Sequence, residues 1–186
     1  MVSIVALWMP ILLSAVFVFV VSSLMHMVLP LHKGDFRKLP AEGDVMEALR
    51  RFDVPPGDYM MPRPDSMEAM RSPAHKAKLA RGPVGVMTFY RAGQLGIGGS
   101  LAQWFAYSLV IGVFAAYVAG RALGPGAHYL QVFRFAGVTT FLGYGLALVQ
   151  DSIWYKRAWR TTVLYLFDGL VYGLVTAGTF GWLWPK

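Results

Sequence analysis

The sequence predicts an all-α, polytopic membrane protein, a four-transmembrane-helix bundle with a small helical cytoplasmic loop. Of its 186 residues, 56% are hydrophobic and only 15% are charged, whereas soluble domains contain about 25% charged residues. The apolar residues are not spread evenly, because they fall into long runs separated by charged stretches. Runs of this length suit a lipid bilayer better than the core of a soluble domain.

The first apolar run covers residues 2–31 and contains no Asp, Glu, Lys or Arg. It is longer than the apolar core of a signal peptide, and no basic residue precedes it. We therefore expect residues 1–31 to form a retained transmembrane helix over about 4–28. Pro10 predicts a kink or a late start, and Pro30 ends the helix because proline cannot donate the backbone hydrogen bond that a helix needs.

The next stretch, residues 32–82, is polar, charged and rich in proline, and it predicts a cytoplasmic loop with three short helices. The first helix is expected over 42–52. The second begins at Asp65, with Glu68 at capping-box spacing. The third begins at Ser72, which precedes a proline in the pattern of an N-cap and first helical residue.

The next apolar segment is broken by glycines, and three longer apolar runs follow it. Residues 83–100 are apolar but too interrupted to span, so they predict an interfacial or re-entrant segment. Residues 101–186 contain the other three transmembrane helices, at about 101–119, 129–149 and 162–182. Tryptophans lie at or near the expected span ends, where their rings favour the level of the lipid headgroups.

Basic residues predict the orientation in the membrane. Eleven fall in the first loop (32–99) and three in the loop after the third span, against only Arg121 and Lys186 on the other side. Both basic loops are therefore expected in the cytoplasm and both termini outside it. The pattern resembles that of small four-span proteins of the bacterial inner membrane, a likeness that implies no particular activity.

Composition also limits the function. The absence of cysteine excludes disulfides, thiolate nucleophiles and iron–sulfur clusters. The formal charge of +7 lies largely beside the apolar runs, so it favours contact with the bilayer and anionic headgroups over nucleic acid. We expect no cofactor and no metal site, because the four histidines are far apart in sequence without metal-ligand spacing. They are His26, His32, His75 and His128.

Small residues recur at every fourth position in two of the predicted spans. Such stripes let helix backbones approach closely in lipid, where the hydrophobic effect does not drive association. We expect them to be helix contacts, with the partner helix in the same chain, in a second copy or in another membrane protein. The residues are Gly112, Ala116 and Gly120 in the second span, and Gly169, Gly173, Ala177 and Gly181 in the fourth.

Ionisable residues inside spans are costly and are candidates for function. His26 and Asp168 are expected at similar depth near the cytoplasmic side, and we predict that they touch. The contact could relay protons or bind a polar headgroup, but a role in fixing helix register is favoured. Their expected neighbours are Ser22, Ser23, Gln103, Gln150 and Tyr172.

Directly after the first span, charges of both signs gather around an aromatic residue. The functional interpretation is a site for lipid headgroups, and the simpler one is an interfacial anchor. The residues are His32, Lys33, Asp35, Arg37 and Lys38.

The sequence contains no catalytic motif, so three functions are open. The favoured one is a non-catalytic assembly or accessory subunit of the membrane. The second is a small transporter or channel component that uses His26 and Asp168. The third is a membrane enzyme that acts on a lipid or quinone at the cytoplasmic surface. Transport predicts a water-lined path that reaches Asp168. An enzyme predicts a pocket that opens to the inner leaflet and is lined by His26, His32, Lys33 and Asp35. An assembly subunit predicts neither, with the glycine stripes buried against another helix.

Overall fold

Four helices of the computed structural model are long and apolar enough to cross a membrane, as the sequence predicts. They cover Val5–Val28, Ile97–Ala122, Tyr129–Trp154 and Trp159–Trp182. The structure describes residues 1–94 and 96–186. These residues form two units, one of Met1–Phe36 with Ile97–Lys186 and the other of Arg37–Gly96. The chain is therefore a mostly helical, membrane-embedded protein.

The elements follow one another along the chain with short connections. Two of the four spans are not uniform α-helices. The first begins with a 3-10 turn (Val5–Leu7) and ends in a π-helical turn (Leu24–Val28), and the third is interrupted by a 3-10 turn (Leu146–Leu148). In order, the elements are α1 (Trp8–Ser23), α2 (Glu42–Arg50), β1 (Gly57–Met61), α3 (Met67–Arg71), α4 (Pro73–Arg81), β2 (Gly85–Phe89), α5 (Ile97–Ala122), α6 (Tyr129–Tyr144), α7 (Val149–Trp154) and α8 (Trp159–Trp182).

Pro10 lies in the first turn of α1, which begins at Trp8. The N–H groups of a first turn have no partner within the helix, so a proline costs little there. The span itself begins at Val5 with a 3-10 turn, so it is the α-helical part that starts late, at Trp8.

The glycine stripe of α5 faces α1 of the same chain. A Cβ atom at Gly112 would lie 3.4 Å from the Ile11 carbonyl oxygen, and one at Gly120 only 2.6 Å from the Val2 carbonyl oxygen. The Val2 N–H donates to the Gly120 carbonyl at 2.8 Å. Ala116, between the two glycines, is fully buried. These small residues allow the two backbones to touch.

The stripe of α8 faces α6, again within the chain. A Cβ atom at Gly169 would lie 3.0 Å from Gly145 Cα, and one at Gly173 would lie 3.2 Å from the Gly137 carbonyl oxygen. Further along α8, Ala177 is fully buried. At the end of the helix, a Cβ atom at Gly181 would lie 2.6 Å from the ring of Tyr129. Both stripes are therefore occupied by helices of this chain, which answers the question that the sequence leaves open.

Both termini lie at one end of the membrane unit. The Gly126 N–H donates to the Pro185 carbonyl at 2.8 Å, and the Trp184 indole N–H donates to the Gly124 carbonyl at 3.0 Å. Together with the Val2–Gly120 bond, these contacts join the N-terminus, the α5–α6 turn and the C-terminus. The opposite end carries the turn after α1 and the start of α8, where Arg160 contacts the Leu31 carbonyl at 3.4 Å.

The second unit contains the three expected short helices and also a sheet. The second of these helices is capped by Ser66, which accepts from the Ala69 N–H, and not by Asp65. Strands β1 and β2 pair antiparallel, with Tyr59 opposite Met87. The all-α prediction is therefore wrong in this detail. Each strand has only five residues and its partner is far away in sequence, so neither leaves a local pattern that can be recognised.

Residues 83–100 differ from the single interfacial segment that the sequence predicts. They contain β2, a connection and the first residues of α5, which begins at Ile97. Leu95 lies outside the described residues. The glycines that suggest a broken span belong partly to the connection and partly to the first turn of the helix.

Candidate functional site

The side chains of His26 and Asp168 lie next to each other, so the contact predicted between them is present. His26 Nε2 is 3.5 Å from Asp168 Oδ2, and the Asp168 side chain is only 3% exposed while that of His26 is 35% exposed. His26 comes from the π-helical turn that ends the first span, and Asp168 from the middle of α8. A carboxylate buried within a span needs such a partner, because lipid cannot solvate its charge.

The π-helical turn brings a second histidine to the same carboxylate. Its closing bond runs from the Leu29 N–H to the Leu24 carbonyl at 3.0 Å, and Pro30 then begins a 3-10 turn that ends at His32. The chain thus folds back, and His32 Nε2 lies 3.1 Å from Asp168 Oδ2. The rings of His26 and His32 are 4.1 Å apart between centroids. π-helical turns of this kind are frequent at functional sites.

A second buried carboxylate holds the other nitrogen of His32. His32 Nδ1 lies 2.8 Å from Asp35 Oδ2, and both side chains are at most 9% exposed. Arg160 approaches the same carboxylate, with Nη1 3.7 Å from Asp35 Oδ1. The imidazole of His32 is therefore fixed between two aspartates, which determines the direction of its Nε2 atom. We call His26, His32, Asp35 and Asp168 the His–Asp cluster.

The His–Asp cluster concentrates charge in an apolar region. Asp168 Oδ2 and Asp35 Oδ1 are buried and have no hydrogen bond of good geometry among the described residues. Unpaired buried carboxylate oxygens are expensive. The only cationic groups within ion-pair distance of them are the two imidazoles and the Arg160 guanidinium, as far as residues 1–94 and 96–186 are concerned. The cluster is thus an anionic site that attracts a cation or a hydrogen-bond donor.

A cavity of about 540 Å³ opens beside the His–Asp cluster, between α1, α5, α6 and α8. Its walls are largely aromatic and apolar, and its polar lining also includes His26, Asp168 and the three serines Ser22, Ser23 and Ser100. The aromatic lining consists of Trp104, Tyr107, Tyr144, Tyr165 and Tyr172.

Hydrogen bonds hold the aromatic walls in place. The Trp104 indole N–H donates to Ser22 Oγ at 2.8 Å, and the Tyr107 hydroxyl donates to the Gly143 carbonyl at 2.7 Å. Tyr144 and Tyr172 contact each other edge to face, with 5.2 Å between ring centroids. The polar groups of Trp104 and Tyr107 are thus engaged by neighbouring helices, whereas the buried Tyr172 hydroxyl has no hydrogen-bond partner among the described residues. Walls made of ring faces and edges suit an apolar or aromatic guest.

Most of this site is not evident from the sequence. The sequence indicates one site at His26 and Asp168 and a separate one in the 32–38 segment, whereas His32 and Asp35 belong to the same cluster as Asp168. It also gives no hint of the aromatic walls or of Arg160. One available signal is Pro30, because a proline four residues after His26 predicts that the chain turns back there.

Other predicted residues lie elsewhere. Tyr172 is buried and lines the cavity, as expected for a neighbour of Asp168. Gln103 and Gln150 differ from the prediction because their side chains are exposed and do not line the cavity. Gln103 directly precedes Trp104, and consecutive residues of a helix point about 100° apart. Lys33 is exposed.

The two remaining residues of the predicted headgroup site, Arg37 and Lys38, belong to the second unit. Both are exposed, and Lys38 Nζ lies 4.0 Å from a carboxylate oxygen of Glu42 in the same unit. The five residues expected to form one surface therefore do not do so. His32 and Asp35 belong to the buried cluster, Lys33 is exposed, and Arg37 and Lys38 belong to the second unit.

Three members of the cluster form a set that can bind a metal ion. His26, His32 and Asp168 each offer one ligand atom, and these atoms lie within 4.8 Å of one another. The sequence predicts no such site because two of these residues are in and after the first span while the third is in the fourth span. Residues that are far apart in sequence can still be neighbours when their helices pack side by side.

No known protein family, no curated protein and no solved structure matches the chain. Its function therefore has to be argued from the geometry of the cavity and the His–Asp cluster.

Proposed function

We propose that this chain is a four-helix bundle of the membrane that binds one amphipathic molecule in the cavity, with the polar end of the ligand at His26 and Asp168. The observation that carries the proposal is that aromatic walls and the ionisable side chains of His26 and Asp168 line the same cavity. A cavity of about 540 Å³ is within the usual range of about 300–1,000 Å³ for small-molecule sites.

The chemistry of the walls defines the ligand class. Flat aromatic rings favour a ring system or an acyl chain, and the polar lining offers imidazole and serine groups that can bind an oxygen-bearing head. A quinone and a lipid share this combination of an oxygen-rich head with an apolar tail. The proposal is therefore a lipid- or quinone-binding protein. It shares its ligand class with the membrane enzyme that the sequence leaves open, but it includes no catalytic step.

The other two functions have less support. The assembly-subunit hypothesis depends on the glycine stripes, which contact helices of this chain and so no longer require a partner protein or a second copy. A hydrated ion on a transport path would need polar walls, whereas the walls next to Asp168 are mostly aromatic and apolar.

We further propose that the protein lies in a bacterial inner membrane with both termini outside the cytoplasm. The excess of basic residues in the loop after the first span and in the loop after the third span supports this orientation. The cluster would then be close to the cytoplasmic leaflet, where anionic headgroups are available to the basic loops.

Blocking the cavity tests the binding function. Ala147 lines the cavity, so Ala147→Trp fills it with an indole ring. We expect wild-type protein, purified in native-lipid particles, to retain about one amphipathic molecule per chain by native mass spectrometry, and Ala147→Trp to retain less than a tenth of that amount. Extraction then identifies the class, because a quinone can be reduced chemically whereas a phospholipid contains phosphorus.

A matched control is Ala102→Trp, which adds the same ring to an exposed position of α5 that does not line the cavity. It should retain the ligand like the wild type. The proposal fails if Ala147→Trp and Ala102→Trp retain equal amounts, or if the wild type retains nothing beyond exchangeable bilayer lipid.

A further inference from the structure

We propose that His26, His32 and Asp168 bind one divalent transition-metal ion of the zinc class. The ligand atoms of these three residues lie within 4.8 Å of one another, and two of the residues, His26 and Asp168, also line the cavity. This inference goes beyond the proposed function, because an amphipathic ligand can occupy the cavity with or without a metal ion, and metal binding needs no ligand in the cavity.

The distances fit a tetrahedral ion. Zinc binds histidine nitrogen and carboxylate oxygen at about 2.0–2.2 Å, so neighbouring ligand atoms of a tetrahedron lie about 3.3–3.5 Å apart. Asp168 Oδ2 is 3.1 Å from His32 Nε2 and 3.5 Å from His26 Nε2. The widest pair of ligand atoms is no more than 4.8 Å apart, so a small rotation of one imidazole ring completes the set.

Asp35 prepares His32 for this role. With 2.8 Å between Asp35 Oδ2 and His32 Nδ1, the carboxylate accepts a hydrogen bond from Nδ1–H, and in this tautomer the lone pair of Nε2 faces Asp168. A carboxylate on the outer nitrogen of a metal-binding histidine is a common arrangement that fixes its tautomer and ring orientation. A lone pair that faces a carboxylate oxygen at 3.1 Å needs a cation or a proton between them.

One metal ion would balance the charge of the two carboxylates better than protonation of both histidines. Protonating both histidines would place two imidazolium rings with centroids 4.1 Å apart, and like charges at such a distance repel each other. One divalent ion supplies the same charge to Asp35 and Asp168 while both rings stay neutral. It would also give the buried Asp168 Oδ2, which has no hydrogen bond of good geometry among the described residues, a partner.

The ion would have an open position towards the cavity. His26 and Asp168 line the cavity wall whereas His32 lies behind them. Three protein ligands with a free fourth position are typical of catalytic rather than structural zinc sites. An oxygen atom of the cavity ligand, or water, could occupy that position.

The test measures binding of Zn²⁺ alone to the full chain in lipid nanodiscs after treatment with a chelator. We expect about one Zn²⁺ per chain by elemental analysis. His26→Ala and His32→Ala should each lower the affinity at least 100-fold. Asp35→Asn should lower it about 10- to 100-fold, the usual effect of losing an outer partner of a metal ligand. His75→Ala, in the second unit, is the matched control and should bind like the wild type.

Two measurements on the wild-type chain do not depend on the folding of variants. Zn²⁺ should raise its thermal midpoint, because a ligand that binds only the folded state stabilises it, and Co²⁺ should give the visible absorption of tetrahedral coordination. Ala147→Trp should lose the amphipathic ligand and keep Zn²⁺, which separates this inference from the proposed function. The inference is overturned if the wild type binds no stoichiometric Zn²⁺, or if His26→Ala and His32→Ala bind it as tightly as His75→Ala.

Discussion

At the scale of single residues, the buried carboxylate of Asp168 requires neighbours that can stabilise its charge. A carboxylate in a span is costly unless other groups stabilise its charge, and two imidazoles converge on it from the end of the first span. The sequence indicates His26 as one partner because its depth can be estimated from helix length. His32 lies beyond the proline, where depth cannot be counted along a helix, so only the fold reveals it.

Ser22 gives a residue-scale prediction for the cavity wall. Ser22 and Ser23 both donate to the Phe19 carbonyl, but only Ser22 also accepts from the Trp104 indole N–H. We expect Ser22→Ala to destabilise the protein by about 1–3 kcal/mol, because it leaves that N–H without a partner. Ser23→Ala should have a smaller effect. Unfolding in mixed detergent micelles measures both, and equal losses would show that the Trp104 contact adds nothing.

At the scale of elements, the contact between α6 and α8 depends on residues that have no side chain. The stripe in α8 is visible in the sequence because small residues repeat every four positions. Its partner is not visible, because α6 contributes Gly137 and Gly145, whose spacing of eight residues does not stand out among the glycines of the chain. Close packing of backbones replaces the hydrophobic effect as the source of helix association in lipid.

Two glycines of α8 provide a matched test of this contact. Gly169→Ala would place a Cβ atom 3.0 Å from the backbone of Gly145, whereas at Gly178 the nearest atom would be the Tyr129 hydroxyl at 3.7 Å. We expect Gly169→Ala to lose about 1–3 kcal/mol of stability through overpacking. Gly178→Ala should be neutral or stabilising by up to about 1 kcal/mol, because alanine favours helix over glycine. Thermal unfolding in nanodiscs measures both, and similar midpoints would contradict the packing argument.

At the scale of the whole molecule, the termini and the His–Asp cluster lie at opposite ends of the membrane unit. Backbone bonds join the N-terminal residues to the α5–α6 turn and the C-terminus, and Arg160 with the turn after α1 lies at the other end. Four spans require both termini on one side. Which side faces the cytoplasm depends on the positions of basic residues, a property of the sequence rather than of the fold.

The absence of cysteine makes the orientation easy to test. Lys33 and Lys186 are both exposed, so Lys33→Cys and Lys186→Cys each introduce a single thiol without disturbing a contact. A thiol reagent that cannot cross membranes should label Lys186→Cys in intact spheroplasts and Lys33→Cys only after lysis. The reverse pattern would leave the fold intact and overturn the proposed orientation.

The sequence by itself determines that this protein has four helices long and apolar enough to span a membrane, and that His26 and Asp168 lie at similar depth. Both follow from local properties, namely the length of apolar runs and the position of a charge along a helix. The tertiary structure decides the rest, since the cavity, the arrival of His32 and Asp35 at Asp168, the partners of the glycine stripes and the small sheet all involve residues far apart in sequence. The rotation of each helix about its axis and the path of the turn after Pro30 position the side chains of the cavity and the cluster. Neither can be predicted from a local sequence pattern.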